Sequence, residues 1–253
     1  MGALHKGHLS LILKSNQTCD NTVVSIYLNP TQFLPGEDLD SYPSSIEKDI
    51  ELLSKYNVDC LFIPSNKTMY PNGNKTLEYS NKYFNMLEGK SRPGFFNGVT
   101  TIVSKLFDII KPSHAFFGEK DFQQLSVIKK MTKDLKYPIN IISCPIIREK
   151  NGLAMSSRNK YLNNNEFSLG SKLYKSLQDA KLLIDEGERD SKQIKFMMNE
   201  YFNNNPLFNV DYISIADQST LEEIDGEIKR EILISIAIYL GETRLIDNIS
   251  ISL

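Results

Sequence analysis

Val23-Val24-Ser25-Ile26-Tyr27-Leu28, followed by Asn29-Pro30-Thr31-Gln32-Phe33, is the stretch whose reading decides the fold. A short apolar run rich in β-branched residues and closed by a turn signal reads as a buried strand of a parallel sheet. The loop after it lies at the strand's carboxyl end, the edge where open α/β sheets bind ligands. The pattern then repeats. After the turn-rich Pro35-Gly36-Glu37-Asp38 and Tyr42-Pro43, Ser44 and Glu47 make a capping-box pattern for a helix with Ile46, Ile50 and Leu53 on one face. Val58–Ile63 reads as the next strand, closed by Pro64. Residues 65–80 are polar and turn-rich around Pro71-Asn72-Gly73, and a short helix is expected about Tyr83–Leu87. Glu88–Gly98, with three glycines and a proline, reads as a covering loop. Val99–Ile110 reads as an apolar helix, Ala115–Phe117 as a strand, and the segment through Leu135 as an amphipathic helix with Phe122, Leu125, Ile128 and Met131 inward. Ile139–Cys144 closes the series. Strand–helix alternation predicts an α/β domain over residues 1–146, with a Rossmann-like, doubly wound parallel sheet.

Pro145-Ile146-Ile147-Arg148 reads as a hinge. Beyond it, Gly152-Leu153-Ala154-Met155-Ser156-Ser157-Arg158-Asn159 is small, polar and basic, which suits a mobile phosphate-gripping loop. Helical patterns at about 165–186 and 191–203 precede the strand-like runs Val210–Ala216, Ile232–Leu240 and Leu245–Ile251. Helices followed by short strands predict a smaller α+β domain, residues 147–253.

Composition narrows the class. The 253 residues are 41% hydrophobic and 24% charged, normal for a folded globular chain. A formal net charge of −2 without a basic block argues against a nucleic-acid partner held through phosphates. Cys19, Cys60 and Cys144 are odd in number and scattered, and read as reduced, mostly buried residues of a cytoplasmic protein. No apolar run reaches transmembrane length and no signal-peptide pattern opens the chain, so no membrane partner is expected.

The chain's first stretch, Met1-Gly2-Ala3-Leu4-His5-Lys6-Gly7-His8, carries the chemistry. Two histidines three apart, glycines at 2 and 7 and an apolar helical run from Leu9 describe a turn feeding a helix. Free N–H groups and partial positive charge at a helix start suit an anion, and the glycines allow backbone to approach a ligand closely. A zinc site is disfavoured, because the pair lacks the third and fourth ligands such a site needs; the remaining histidine is His114. Ordinary capping histidines are the plainest alternative. The His-x-Gly-His pattern resembles the nucleotide-binding signature of nucleotidyl-transferring enzymes related to class I aminoacyl-tRNA synthetases.

Four motifs in order sharpen that: Met1–His8; Asn29-Pro30-Thr31-Gln32; Gly118-Glu119-Lys120-Asp121-Phe122-Gln123-Gln124; and Met155-Ser156-Ser157-Arg158, with Arg92-Pro93 between the second and third. Together, and through Arg244-Leu245-Ile246-Asp247-Asn248, they closely resemble the pantoate–β-alanine ligase (pantothenate synthetase) family over essentially the whole chain. The resemblance implies ATP-dependent condensation of (R)-pantoate with β-alanine through a pantoyl adenylate, releasing AMP and pyrophosphate, to give pantothenate, a coenzyme A precursor. It implies catalytic roles for His5, His8, Lys120, Ser156, Ser157 and Arg158, with His8 as proton donor. Around ATP it places Met1, Gly2, Gly118, Glu119, Asp121, Ile147 and Met155 beside those six. Gln32 and Gln124 would bind pantoate, Gln32 also β-alanine, with Asn29, Tyr42, Glu88 and Arg92 at the pocket's periphery; Arg92 has a bracing alternative, on the Phe95–Phe96 segment. ATP is co-substrate and Mg²⁺ its companion, with no protein ligand indicated for the metal. A homodimer is also implied, with the C-terminal domain acting as a lid.

The sequence departs from the family at Lys6, Thr31 and Lys90, none a proposed catalytic position. Relatives carry a strand and helix ahead of the histidine motif, so the expectation is a native product longer than this chain. Two other functions stay open on the residues alone. One is a nucleotidyltransferase that leaves the nucleotide on its product. The other is a nucleotide-binding remnant without turnover.

Overall fold

The computed structural model describes residues 1–73 and 75–253. The chain divides into two compact units, Met1–Ile147 and Arg148–Leu253.

In the first unit, α1 (Lys6–Thr18) turns Leu9 and Ile12 inward onto Leu4, Val24, Ile26 and Leu53. The expected six-residue strand is regular only over β1 (Val23–Ser25), parallel to β2 (Cys60–Phe62). Its extension stays extended and bonded: Ile26 N–H donates to the Phe62 carbonyl and Tyr27 N–H to that of Met1, both at 2.9 Å. Between the strands runs α2 (Ile46–Leu53). Its N-cap is Ser45, one residue later than the capping pattern suggested. Its inward face also differs: Ile46 and Ile50 are 45% and 44% exposed, while Leu53 and the carboxylate of Asp49 are buried. An apolar-stripe reading cannot see an acidic residue that is buried because the backbone bonds to it.

α3 (Asn66–Met69), a 3₁₀ turn (Lys82–Asn85) and α4 (Leu87–Ser91) follow. The Glu88–Gly98 segment is therefore largely helical, because α5 (Phe95–Ile110) begins four residues before its expected start. Glycines usually break helices, but here they make room for backbone. A Cβ on Gly89 would stand 2.1 Å from the Phe84 carbonyl oxygen, and one on Gly98 2.1 Å from that of Thr31. β3 (His114–Gly118) pairs parallel with β4 (Asn140–Cys144), joined by α6 (Phe122–Asp134). The parallel strands thus bond as two pairs, β1 with β2 and β3 with β4. Phe96, Val99, Phe107, Val127, Ile128 and Met131 fill the core beneath the second pair.

The second unit has α7 (Asn164–Leu169), α8 (Ser171–Asp185) and α9 (Ser191–Asn203), then an antiparallel sheet in the order β5 (Phe208–Asp217), β6 (Ile232–Leu240), β7 (Thr243–Ile251). The helical stretch expected from 165 to 186 divides at Gly170, where a Cβ would crowd Leu153 at 3.2 Å. Leu173, Leu177, Ile184, Ile194 and Met198 from the helices bury against Ile215, Ile234 and Ile236 of the sheet. Of the three free cysteines only Cys144 is buried; Cys60 is exposed at the start of β2. Among the described residues, no helix is long and apolar enough to cross a membrane.

Candidate active site

The first unit brings the histidine motif, the end of β3 and the start of α6 together. His5 is the N-cap of α1, its Nδ1 accepting from Gly7 N–H at 3.1 Å. Its carbonyl accepts from the N–H groups of His8 and Leu9. The rings of His5 and His8 stand 4.1 Å apart, tilted by 38°. The His8 Nδ1 is buried and has no hydrogen-bond partner among the described residues. Burial pushes the His8 imidazolium well below its ordinary pKa, helped by the charges of His5, the chain's amino group and Lys120. A neutral His8 at pH 7 is a hydrogen-bonding group poised to gain a proton once an anion arrives beside it. α1 packs against β3, whose end runs straight into the turn that carries Lys120, which brings the third motif to the first. Lys120 sits in a 3₁₀ turn (Glu119–Asp121) between β3 and α6, 3.9 Å from the Asp121 carboxylate. A Cβ on Gly2 or Gly118 would meet nothing within 4 Å, so both glycines leave open space over the backbone. Met1, Gly2, Glu119, Asp121 and Ile147 are all half-buried.

Gln32 ends the 3₁₀ turn Pro30–Gln32 capped by Asn29. The buried Asn29 amide donates to Gln32 Oε1 at 3.1 Å and to the Gly98 carbonyl at 3.2 Å. Its Oδ1 accepts from the Tyr70 hydroxyl at 2.7 Å and from Thr31 Oγ1 at 3.0 Å. Holding Gln32 by its oxygen turns the amide's donor end away from Asn29. Gln124 is half-buried on the first turn of α6. Tyr42 stands edge-on to Phe33 at 5.8 Å, and Glu88 is buried on α4. Arg92 carries the structure's answer to its bracing alternative. Its guanidinium grips Glu37 with two bonds of 2.7 Å, donates to the Gln32 carbonyl at 3.1 Å and lies 3.9 Å over the Phe95 ring.

In the second unit the Met155–Arg158 segment is a built turn. Arg148 and Ala154 form an antiparallel bridge around Gly152, whose φ of +93° suits only glycine well. Met155 and Ser157 are buried, and Ser156 caps a 3₁₀ turn (Ser157–Tyr161), accepting from Arg158 N–H at 3.3 Å. The buried Asn159 anchors the turn to the Ala154 carbonyl at 3.1 Å.

Residues 1–250 match the pantoate–β-alanine ligase family. This chain belongs to that family. Among its relatives is a pantothenate synthetase of Acetivibrio thermocellus, 50% identical over 249 residues, 98% of this chain and 88% of the relative. One from Thermosipho africanus is 47% identical over 251 residues, 99% and 90% of the two chains. A solved pantothenate synthetase of Thermus thermophilus superposes with a TM-score of 0.94 at 36% identity, covering 98% of this chain and 90% of that one. A Francisella tularensis pantoate–β-alanine ligase, complexed with beta-gamma ATP and beta-alanine, matches at 0.78 and 38% identity, with 98% and 86% covered.

Several residues of this ligase that hold the site escaped the sequence reading. Gln123, beside Gln124, is buried: its amide donates to the carbonyls of Tyr83 and Met86, and its oxygen accepts from Glu88 N–H. Arg148 forks onto the buried Asp247 at 2.6 and 3.0 Å, donates to the Gly152 carbonyl and stacks 3.6 Å over Tyr174. Asp247 lies in the Arg244–Asn248 motif, the one signal that pointed to it. Among the described residues, no group of three or more His, Cys, Asp and Glu side chains could hold a metal ion.

Proposed function

We propose that this chain condenses (R)-pantoate with β-alanine, using ATP, by way of a pantoyl adenylate. The pantoate carboxylate attacks the α-phosphorus, forming an acyl–phosphate bond and breaking the bond to pyrophosphate. The β-alanine amine then attacks the acyl carbon, forming the amide and expelling AMP. Family membership over residues 1–250 supports the reaction. The observation in this chain that carries it is the His5–His8 pair at the start of α1, with an unpartnered buried Nδ1 beside the charge of Lys120.

The roles follow from what charge each step develops. Breaking the α–β phosphate bond spreads negative charge onto the departing oxygens. Lys120, and His5 and His8 as donors, would stabilise it, with the partial positive charge of the helix starts of α1 and α6 beside them. Gly2, Gly118, Glu119, Asp121, Met1 and Ile147 would line the nucleotide. The second unit would contribute Met155 and phosphate donors from Ser156, Ser157 and Arg158. Gln32, its donor end turned free of Asn29, would hold pantoate with Gln124, and Gln32 also β-alanine. Asn29, Tyr42, Glu88 and Arg92 act around them, with Asn29 and Arg92 setting the position of Gln32. Mg²⁺ would neutralise phosphate charge, arriving on ATP with phosphate and water as its main ligands. We extend the proposal to a cytoplasmic homodimer; a sedimentation mass of one chain would refute the dimer.

The test is AMP release. Protein with Mg-ATP should form AMP in step with pantothenate only when pantoate and β-alanine are both present. A product that retains the nucleotide would instead mean a nucleotidyltransferase.

A further inference from the structure

We propose that Asp49 is a positioning residue for the His5–His8 pair. It stands on α2, forty-odd residues away in sequence, yet its side chain reaches the backbone just ahead of His5. One carboxylate oxygen accepts from Ala3 N–H at 2.9 Å and the other from Leu4 N–H at 2.7 Å. Asp49 is 2% exposed, so these are charge-assisted bonds shielded from water, the strong kind.

What they hold is a strained turn. Ala3 sits at φ +51°, where a side chain crowds the following carbonyl. A residue there stays only when its surroundings fix it, and the two bonds from Asp49 do so. The next residue but one is His5, the cap of α1, whose carbonyl carries the first bonds of the helix through His8 N–H and Leu9 N–H. The angle at which the chain enters α1 therefore sets the placement of the two rings against each other and the direction of the helix axis behind them. Asp49 touches no reacting atom in this reading, and acts through that backbone.

The proposal deepens the ligase reading and rests on it for its kinetic arm only. Asp49→Asn keeps the shape and one accepting oxygen but faces a donor toward the second N–H. Asp49→Ala removes both acceptors, and Asp49→Asn carries the test if that variant does not fold. In the full chain, Asp49→Asn should lower kcat for AMP release about tenfold, as a small misplacement of catalytic groups does, with the KM for β-alanine unchanged. Groups acting as one unit are not additive, so in a His8→Ala background the same change should cost less than about threefold more. The second arm needs no substrate. His5, His8 and His114 are the only histidines, and His114 lies on β3. The ring resonances of His5 and His8 should move in Asp49→Asn while those of His114 stay.

Unmoved His5 and His8 resonances in a folded Asp49→Asn variant, or full additivity with His8→Ala, would overturn the proposal. If the parent chain releases no AMP, the ligase reading fails and the resonances alone decide the role of Asp49.

Discussion

Gly98→Ala sets two effects of opposite sign against each other. Gly98 lies inside α5, and helix propensity alone favours alanine there by about 1 kcal/mol. The contact opposes it. The new Cβ would stand 2.1 Å from the Thr31 carbonyl oxygen and 2.6 Å from its carbon, where real Cβ contacts essentially never fall below 3.0 Å. The obstruction is backbone, which cannot swing aside as a flexible side chain would. Overpacking of this kind costs about 1–3 kcal/mol, and a backbone clash belongs at the upper end. The contact wins, for a net loss of about 1–2 kcal/mol, read by urea titration. The larger effect is on activity. Thr31 is the middle of the 3₁₀ turn that ends in Gln32, and relieving the clash moves that turn by about 1 Å, a displacement that can cost up to about a hundredfold. Kinetics with pantoate varied should show kcat/KM falling at least tenfold. A Gly98→Ala protein that is about 1 kcal/mol more stable than the parent, with unchanged pantoate kinetics, would show that propensity decides this position and that the close approach does not matter.

Three further outcomes are expected. Asp247→Ala strands the Arg148 guanidinium without its buried partner and should cost about 3 kcal/mol in urea unfolding of the chain, whereas Lys181→Ala, which removes an exposed partner of Asp185, should cost under about 0.5 kcal/mol. Asp217 takes the Ser219 hydroxyl at 2.7 Å and the N–H groups of Thr220 and Ser219, which lower its pKa to about 2. Because the folded value is depressed, its stabilisation is present above the ordinary carboxylate value of 3.8 and is lost as pH falls toward about 2; Asp217→Asn should flatten unfolding free energy across that window. His8→Ala should lower kcat for AMP release about a hundredfold with little change in the KM for β-alanine, as removal of one charge-stabilising donor does; a loss confined to KM would contradict its assigned role.

The α/β class was legible because parallel-strand cores repeat as apolar runs between helical patterns, and every expected strand of the first unit is at its place. Their lengths were not, since β1 and β2 keep regular pairing over three residues each. The histidine motif was legible from residue type and spacing, because the chemistry of a helix start is local. The residues that hold the site in shape were not. Asp49 and Glu37 bond to backbone or side chains far away in sequence, and nothing in their own neighbourhoods distinguishes them from solvated polar residues; Gln123 lies within the Gly118–Gln124 motif, but nothing there tells its inward-bonded amide from that of Gln124. The helical course of Leu87–Ser91 and the early start of α5 were hidden for a related reason. Gly89 and Gly98 looked like loop glycines, and only the tertiary contact with the Phe84 and Thr31 carbonyls explains them.

The central claim is that the pantoate carboxylate becomes the bridge to phosphorus and is then cleaved on its carbon side. Pantoate labelled with ¹⁸O at both carboxylate oxygens tests it directly, with AMP and pantothenate read by mass spectrometry after complete turnover. The account predicts one labelled oxygen in the phosphate of AMP and one in the new amide carbonyl. AMP without label would contradict it, because no acyl adenylate could then have formed.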